Sequence, residues 1–209
     1  MFQPDTIPPA HHILYKYADK YEFLQIGLNF LKKGLDMNEV VMLITDQFTS
    51  DYIINEMKNQ WHVDANDLKE KKQIIIHKTK EWYYPNNTIE NEKIISKWKH
   101  TANNAIKDGR SGLRAFADTG EFFQNGMSLD LIRYESALEQ TFDFPFTAVC
   151  AYSSSSFSEL ELEEQRILLD HHHSLLKTPN LISIVCECGA TFPSEYYSCP
   201  KCGMVQNQN

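Results

Sequence analysis

Four cysteines crowd the C-terminal tail, two in Cys186-Glu187-Cys188-Gly189 and two in Cys199-Pro200-Lys201-Cys202-Gly203. Two tight turns that each aim a pair of thiolates inward, joined by a hairpin, supply the donors a tetrahedral zinc ion wants. The second turn has the expected spacing, and Gly203 lets backbone N–H groups approach sulfur. The first turn is one residue short. Either Cys186 ligates through a tighter loop, or a water or histidine completes the shell around Cys188, Cys199 and Cys202. So short a segment has almost no core, so metal binding would supply its folding free energy. The competing reading is a redox-labile tail without metal. Lys201 is the lone basic residue after Cys186, against Glu187 and Glu195, which favours a protein contact over DNA.

The fifth cysteine, Cys150, stands alone in the run Phe144 to Tyr152. With Tyr152 and one of His171, His172 or His173 it could form a ligand-sensing or metal-sensing constellation. The plainer reading makes Cys150 a small buried hydrophobe and the histidines a helix end favoured by the dipole. His11 and His12 precede or open the first strand, whereas Cys150 lies near the end of the last central one. In a parallel sheet those positions are expected on opposite edges. Arg114 and Asp118 share the run Gly112 to Asp118, with Glu121 just beyond. Arg114 either faces a polar ligand group or forms a structural ion pair with Glu121 or Glu135. The candidate ligand residues are therefore Arg114, Asp118, Glu121, Cys150 and Tyr152. Trp82, Tyr83, Tyr84, Phe116, Phe122 and Phe123 are candidates to line an apolar pocket.

The elements that position these residues alternate strand and helix. His12 to Tyr17, Glu39 to Thr45, Gln73 to Thr79, Gly112 to Asp118 and Phe144 to Tyr152 read as strands, most of them continuously apolar as in a sheet buried on both faces. Leu24, Leu28, Leu31 and Leu35 recur at helical spacing, as do Ile54, Met57 and Trp61 behind a Thr49 or Ser50 cap. Ile94 to Ile106 marks a longer helix ending before Gly109. Ser128 can cap the next, and Ser158 with Glu161 fits a capping box for a helix reaching His171. Such alternation predicts an α/β fold with a mostly parallel sheet covered on both faces, and ligand chemistry at the strand C-termini. The break at Thr178-Pro179-Asn180 divides a main domain, 10–178, from a small zinc-binding hairpin, 183–205.

The net charge of −8, from 20 Lys+Arg against 28 Asp+Glu, argues against direct nucleic-acid or anionic-membrane binding. No apolar run approaches the roughly 20 residues of a membrane helix, and the start lacks the features of a secretion signal. A cytoplasmic protein is expected.

Two resemblances extend this reading. The tail resembles a zinc ribbon. The body compares with RecA/KaiC-like ATPases, whose glycine-rich phosphate loop would fall at Lys16 to Phe23; that stretch contains no glycine, so backbone N–H groups cannot wrap phosphates that way. Asp118 sits where such enzymes place a metal-binding carboxylate, and ATP hydrolysis is not expected. A closer resemblance is to the MEDS domain, the methanogen/methylotroph DcmR sensory domain. It is carried by His12-Ile13-Leu14-Tyr15, Phe30 to Leu35, Asn38-Glu39-Val40-Val41, Gly109 to Arg114, Tyr134-Glu135 and Val149-Cys150-Ala151-Tyr152, over about His11 to His173. The resemblance implies a non-catalytic sensory module of archaeal and bacterial signalling that recognises small hydrocarbon derivatives. Family members often carry an attached output domain such as a DNA-binding or kinase region; for this chain a regulatory protein partner and a role in transcription regulation are expected. Two alternatives stay open: an enzyme of unrecognised type using Asp118, Glu121 and Cys150, and a protein-interaction scaffold.

Overall fold

The computed structural model describes Ile7, residues 9–176 and, beyond them, 183–185, 187, 188, 191–193, 202 and 204. The body begins with β1 (His12–Tyr17), α1 (Lys20–Asp36), β2 (Val40–Ile44), α2 (Ser50–Trp61), α3 (Ala65–Glu70) and β3 (Ile74–His77). It continues with α4 (Thr79–Tyr83), α5 (Asn91–Lys107), β4 (Leu113–Asp118), α6 (Gly120–Gln124) and α7 (Ser128–Glu135). β5 (Phe146–Ser153), α8 (Ser154–Glu159), α9 (Leu162–Asp170) and the short β6 (Ser174–Leu175) complete it. Six strands form one sheet in the order β3-β2-β4-β5-β1-β6, every pairing parallel. This is the α/β architecture the apolar runs predict.

Local signals place the helices. Asp19 opens α1 by accepting from the backbone N–H groups of Tyr21 and Glu22, and Thr49 caps α2 through Tyr52 N–H. His62, in the left-handed region at φ 53°, ends α2. Two expected caps differ. Ser128 is the first helical residue of α7 rather than its cap, and the helix expected from Ser158 to His171 is two helices. Ser158 lies inside α8, and a capping box of Glu161 with Glu164 opens α9. The short helices α3, α4 and α6 span too few turns to show an apolar period.

Strand alternation sorts the interior into two cores. Ile13, Tyr15 and Tyr17 of β1, Val41 and Leu43 of β2, Phe116 of β4, and Val149 and Ala151 of β5 face α1, α2 and α3. Leu14, Met42, Ala115, Ala117, Ala148, Cys150 and Tyr152 face the other way, against α5, α6, α7, α8 and α9. This parity decides which candidate residues can meet.

Separately, β7 (Ser183–Val185) and β8 (Thr191–Pro193) pair as an antiparallel hairpin. Of the four expected zinc ligands there, Cys186 and Cys199 lie outside the described residues, while Cys188 and Cys202 are described.

Candidate metal centre

Arg114 is fully buried on the α1 face. Its Nε donates to Glu39 Oε2 at 2.5 Å, its guanidinium carbon lies 4.8 Å from the centre of the Phe30 ring, and Gly34 gives it room. The partner is thus Glu39, neither Glu121 nor Glu135. Glu39 immediately precedes β2, and β2 pairs with β4 so that Val41 lies beside Arg114. Asp118 closes β4 at the C-terminal edge of the sheet. Its carboxylate accepts from Tyr17 OH at 2.9 Å, Gln47 Nε2 at 2.8 Å and Gly120 N–H at 3.0 Å. Burial raises its pKa above the ordinary aspartate value, an effect these donors oppose. Glu121 stands apart on α6, where its Oε1 accepts from Asn125 Nδ2. The five sequence candidates therefore fall in separate places, and only Cys150 and Tyr152 share one.

That place contains more than the sequence revealed. His12 pairs with Ala148 across β1 and β5, so His12 and Cys150 are diagonal neighbours on the same face. His12 Nε2 lies 3.3 Å from Cys150 Sγ. The expectation that a strand start and a strand end keep them apart fails, because Cys150 is the fifth residue of the eight-residue β5 rather than its end. Glu135, the last residue of α7, brings Oε2 to 3.1 Å from His12 Nε2. His172, just past α9, brings Nε2 to 3.5 Å from the same oxygen. The four ligand atoms all lie within 4.8 Å of one another, and all four residues are buried. The sequence pointed to Cys150, Tyr152 and a helix-end histidine together. It did not join His12 to them, and it considered Glu135 only beside Arg114.

The protonation pattern is set by backbone carbonyls. His12 Nδ1 lies 3.2 Å from His171 O, and His172 Nδ1 lies 2.6 Å from Leu168 O. A carbonyl only accepts, so each Nδ1 carries a hydrogen and each Nε2 is turned toward the centre. Histidine ligands of metals are commonly oriented this way by their second nitrogen. Burial, reinforced by the neighbouring His12, lowers the pKa of His172 to about 3, so its ring is neutral. Burial drives the Cys150 thiol upward, with Glu135 adding to the effect. Burial also raises Glu135, but its contacts with His12, together with a hydrogen bond from the Cys150 thiol, more than offset it and hold the carboxyl below its usual range. His172 Nε2 is buried without a hydrogen-bond partner, while Glu135 Oε2 lies against His12 Nε2 at 3.1 Å.

A carboxylate, two imidazoles and a thiol buried together are costly in a dry interior unless they satisfy one another or hold a cation, and the four ligand atoms are close enough to do the latter. Tetrahedral coordination with bonds of roughly 2.0–2.3 Å sets ligand atoms about 3.3–3.8 Å apart. The three closest contacts among the four residues, 3.1, 3.3 and 3.5 Å, lie near those edges. Two imidazoles, a carboxylate and a thiolate suit a divalent ion of borderline softness. The group can hold a metal ion.

Fold and centre together define a parallel α/β domain with a buried cluster of potential metal ligands in its core. Residues 11–168 match the profile of MEDS, the MEthanogen/methylotroph, DcmR Sensory domain. The chain belongs to this family, and the role it carries is a sensory one. No curated protein matches the chain. Among the described residues, no helix is long and apolar enough to cross a membrane.

Proposed function

We propose that this chain is a non-catalytic sensory protein that binds a small ligand in a degenerate RecA/KaiC-like domain, with zinc at the His12–Glu135–Cys150–His172 centre as its working part. The convergence of four buried ligand atoms from β1, α7, β5 and the segment after α9 supports this. An ion held there would tie α7 and the segment after α9 to the paired strands β1 and β5. Anything that changes its coordination would shift the position of α9 and the chain beyond it, in the manner of a population shift. The signal would pass by protein contact to a regulatory partner, with transcription as the expected output. In the tail, Cys186, Cys188, Cys199 and Cys202 would hold a second, structural zinc ion.

An enzyme using Cys150 as nucleophile is disfavoured, because the thiol is buried and its pKa is raised rather than lowered. Elemental analysis of the purified chain beside Cys150→Ser and Cys188→Ser separates the two sites. Each substitution is expected to remove its own share of the zinc and leave the other. Zinc retained in full by Cys150→Ser, with loss confined to Cys188→Ser, would sink the buried centre and leave the tail as the metal site.

A further inference from the structure

Beside the centre, on the edge of the sheet where β5 begins, lies a pocket of about 250 Å³. We infer that this pocket receives a small, uncharged, aromatic molecule, and that binding there is coupled to the buried centre. The ligand class and the site deepen the sensory reading, and the coupling rests on it.

The lining argues for the ligand's chemistry. Trp98, Phe142, Phe144 and Phe146 form the apolar wall, and Phe142 and Phe144 are only half-buried, so flat hydrocarbon surface faces the opening. Lys99 and Asp143 at the rim pair with each other at 3.3 Å, and Glu139, also in the lining, would repel an anionic ligand. A cavity of about 150 Å³ lined by apolar side chains is enough to take up benzene. One or two fused rings therefore fit the larger space. Stacked and edge-on contacts with the existing aromatic rings would orient them.

The coupling follows from what holds the pocket wall. The segment carrying Gln140, Thr141 and Phe142 is tied to both histidine-bearing stretches. Gln140 O accepts from His12 N–H at 3.0 Å, Gln140 Nε2 donates to Asp170 O at 2.6 Å, and Phe142 N–H donates to Ala10 O at 2.8 Å. The Phe142 ring lies 5.7 Å from the His12 ring. On the opposite wall, Trp98 Nε1 donates to Tyr134 OH at 2.8 Å, and Tyr134 immediately precedes Glu135. A ligand that displaces Phe142 or Trp98 thus pushes on groups that lie a hydrogen bond and at most a few residues from His12, His172 and Glu135. Reciprocity requires that the state of the centre alter the pocket's affinity by the same factor.

The test uses the full chain and indole as probe, followed by titration calorimetry in zinc-loaded and metal-stripped protein. Ala137, exposed on the pocket rim, is replaced by Phe to fill the space without touching the core. One indole per chain is expected to bind, to be lost in Ala137→Phe, and to differ at least ~5-fold in affinity between the two metal states. In Cys150→Ser that difference is expected to vanish while indole still binds. Absence of binding, or binding untouched by Ala137→Phe, overturns the pocket. Equal affinities in two forms whose zinc contents differ at the centre overturn the coupling. If the centre takes up no zinc, the metal reading fails on its own, and indole binding to the metal-free chain with its loss in Ala137→Phe still decides the pocket.

Discussion

Zinc at the buried centre should stabilise the fold by an amount that can be stated in advance. The four ligands come from positions 12, 135, 150 and 172, so they exist as a set only in the folded chain, and the unfolded chain competes weakly for the ion. At free zinc about 100-fold above the dissociation constant, linkage predicts about 2.7 kcal/mol. In a domain of this size each kcal/mol moves Tm by roughly 2–4 °C, so a shift of about 5–11 °C is expected. The tail thiols must not contribute, so the comparison is made in a Cys188→Ser, Cys202→Ser background. Thermal unfolding is followed with zinc buffered against a chelator, and again after adding His172→Ala to that background. His172→Ala leaves His12, Glu135 and Cys150 in place but opens the shell, and the shift should fall below about 2 °C. A wild-type centre that shows no shift, or a His172→Ala protein that shifts as far, refutes the argument. Cobalt(II) gives an independent reading. A single thiolate from Cys150 should give a weak sulfur charge-transfer band that disappears in Cys150→Ser.

Asp118 should make stability pH-dependent with a definite sign. Its folded pKa lies above the ordinary value, so its contribution is fully present at low pH and is lost as pH rises through the folded value. Denaturant titrations from acid to neutral pH should show wild type losing stability relative to Asp118→Asn over that interval, and a parallel pair of curves would contradict it. Gly34→Ala should cost about 1–3 kcal/mol, since a Cβ there would stand 2.7 Å from Arg114 Cδ and 2.9 Å from Glu39 Oε2. Chemical denaturation measures this directly, and an unchanged midpoint would show that the buried pair is free to move aside.

The sheet was legible in the sequence because its strands are buried on both faces and read as continuous apolar runs. Every main strand lies where such a run predicts it, with ends shifted by a residue or two. The site was legible only in fragments. Cys150, Tyr152 and the helix-end histidines drew attention by type, but His12 was set aside by an argument about strand ends. The missing quantity was the register of β1 on β5, which no single strand's sequence encodes. Glu135 was hidden for another reason. It ends a helix whose amphipathic face shows that it is near the core, but not which of two cores. The expectation that ligand chemistry gathers at strand C-termini described Asp118, whose carboxylate is already surrounded by donors. The group that could hold a metal lies instead on a face of the sheet, toward its other edge.

Two buried polar groups on opposite faces of one sheet therefore mean different things, and the difference can be tested. Arg114 and Glu39 form a pair beneath α1, with the Phe30 ring against the guanidinium. Such a pair is a structural device. Removing one partner as Glu39→Gln should cost about 3–5 kcal/mol by leaving a buried charge uncompensated. Replacing both, as Arg114→Met with Glu39→Leu, should recover most of that loss, because apolar side chains of similar volume avoid the desolvation penalty altogether. The centre on the other face should behave oppositely toward a ligand. An apolar replacement of Glu135 and His172 should leave the metal-free fold nearly as stable as before, since it removes a buried carboxylate together with an imidazole that faces it. It should abolish zinc-dependent stabilisation completely. Equilibrium unfolding of the two double variants, each with and without zinc, makes the comparison. If the Arg114–Glu39 replacement removes the zinc effect, or the Glu135–His172 replacement preserves it, the division between a structural and a functional face is wrong.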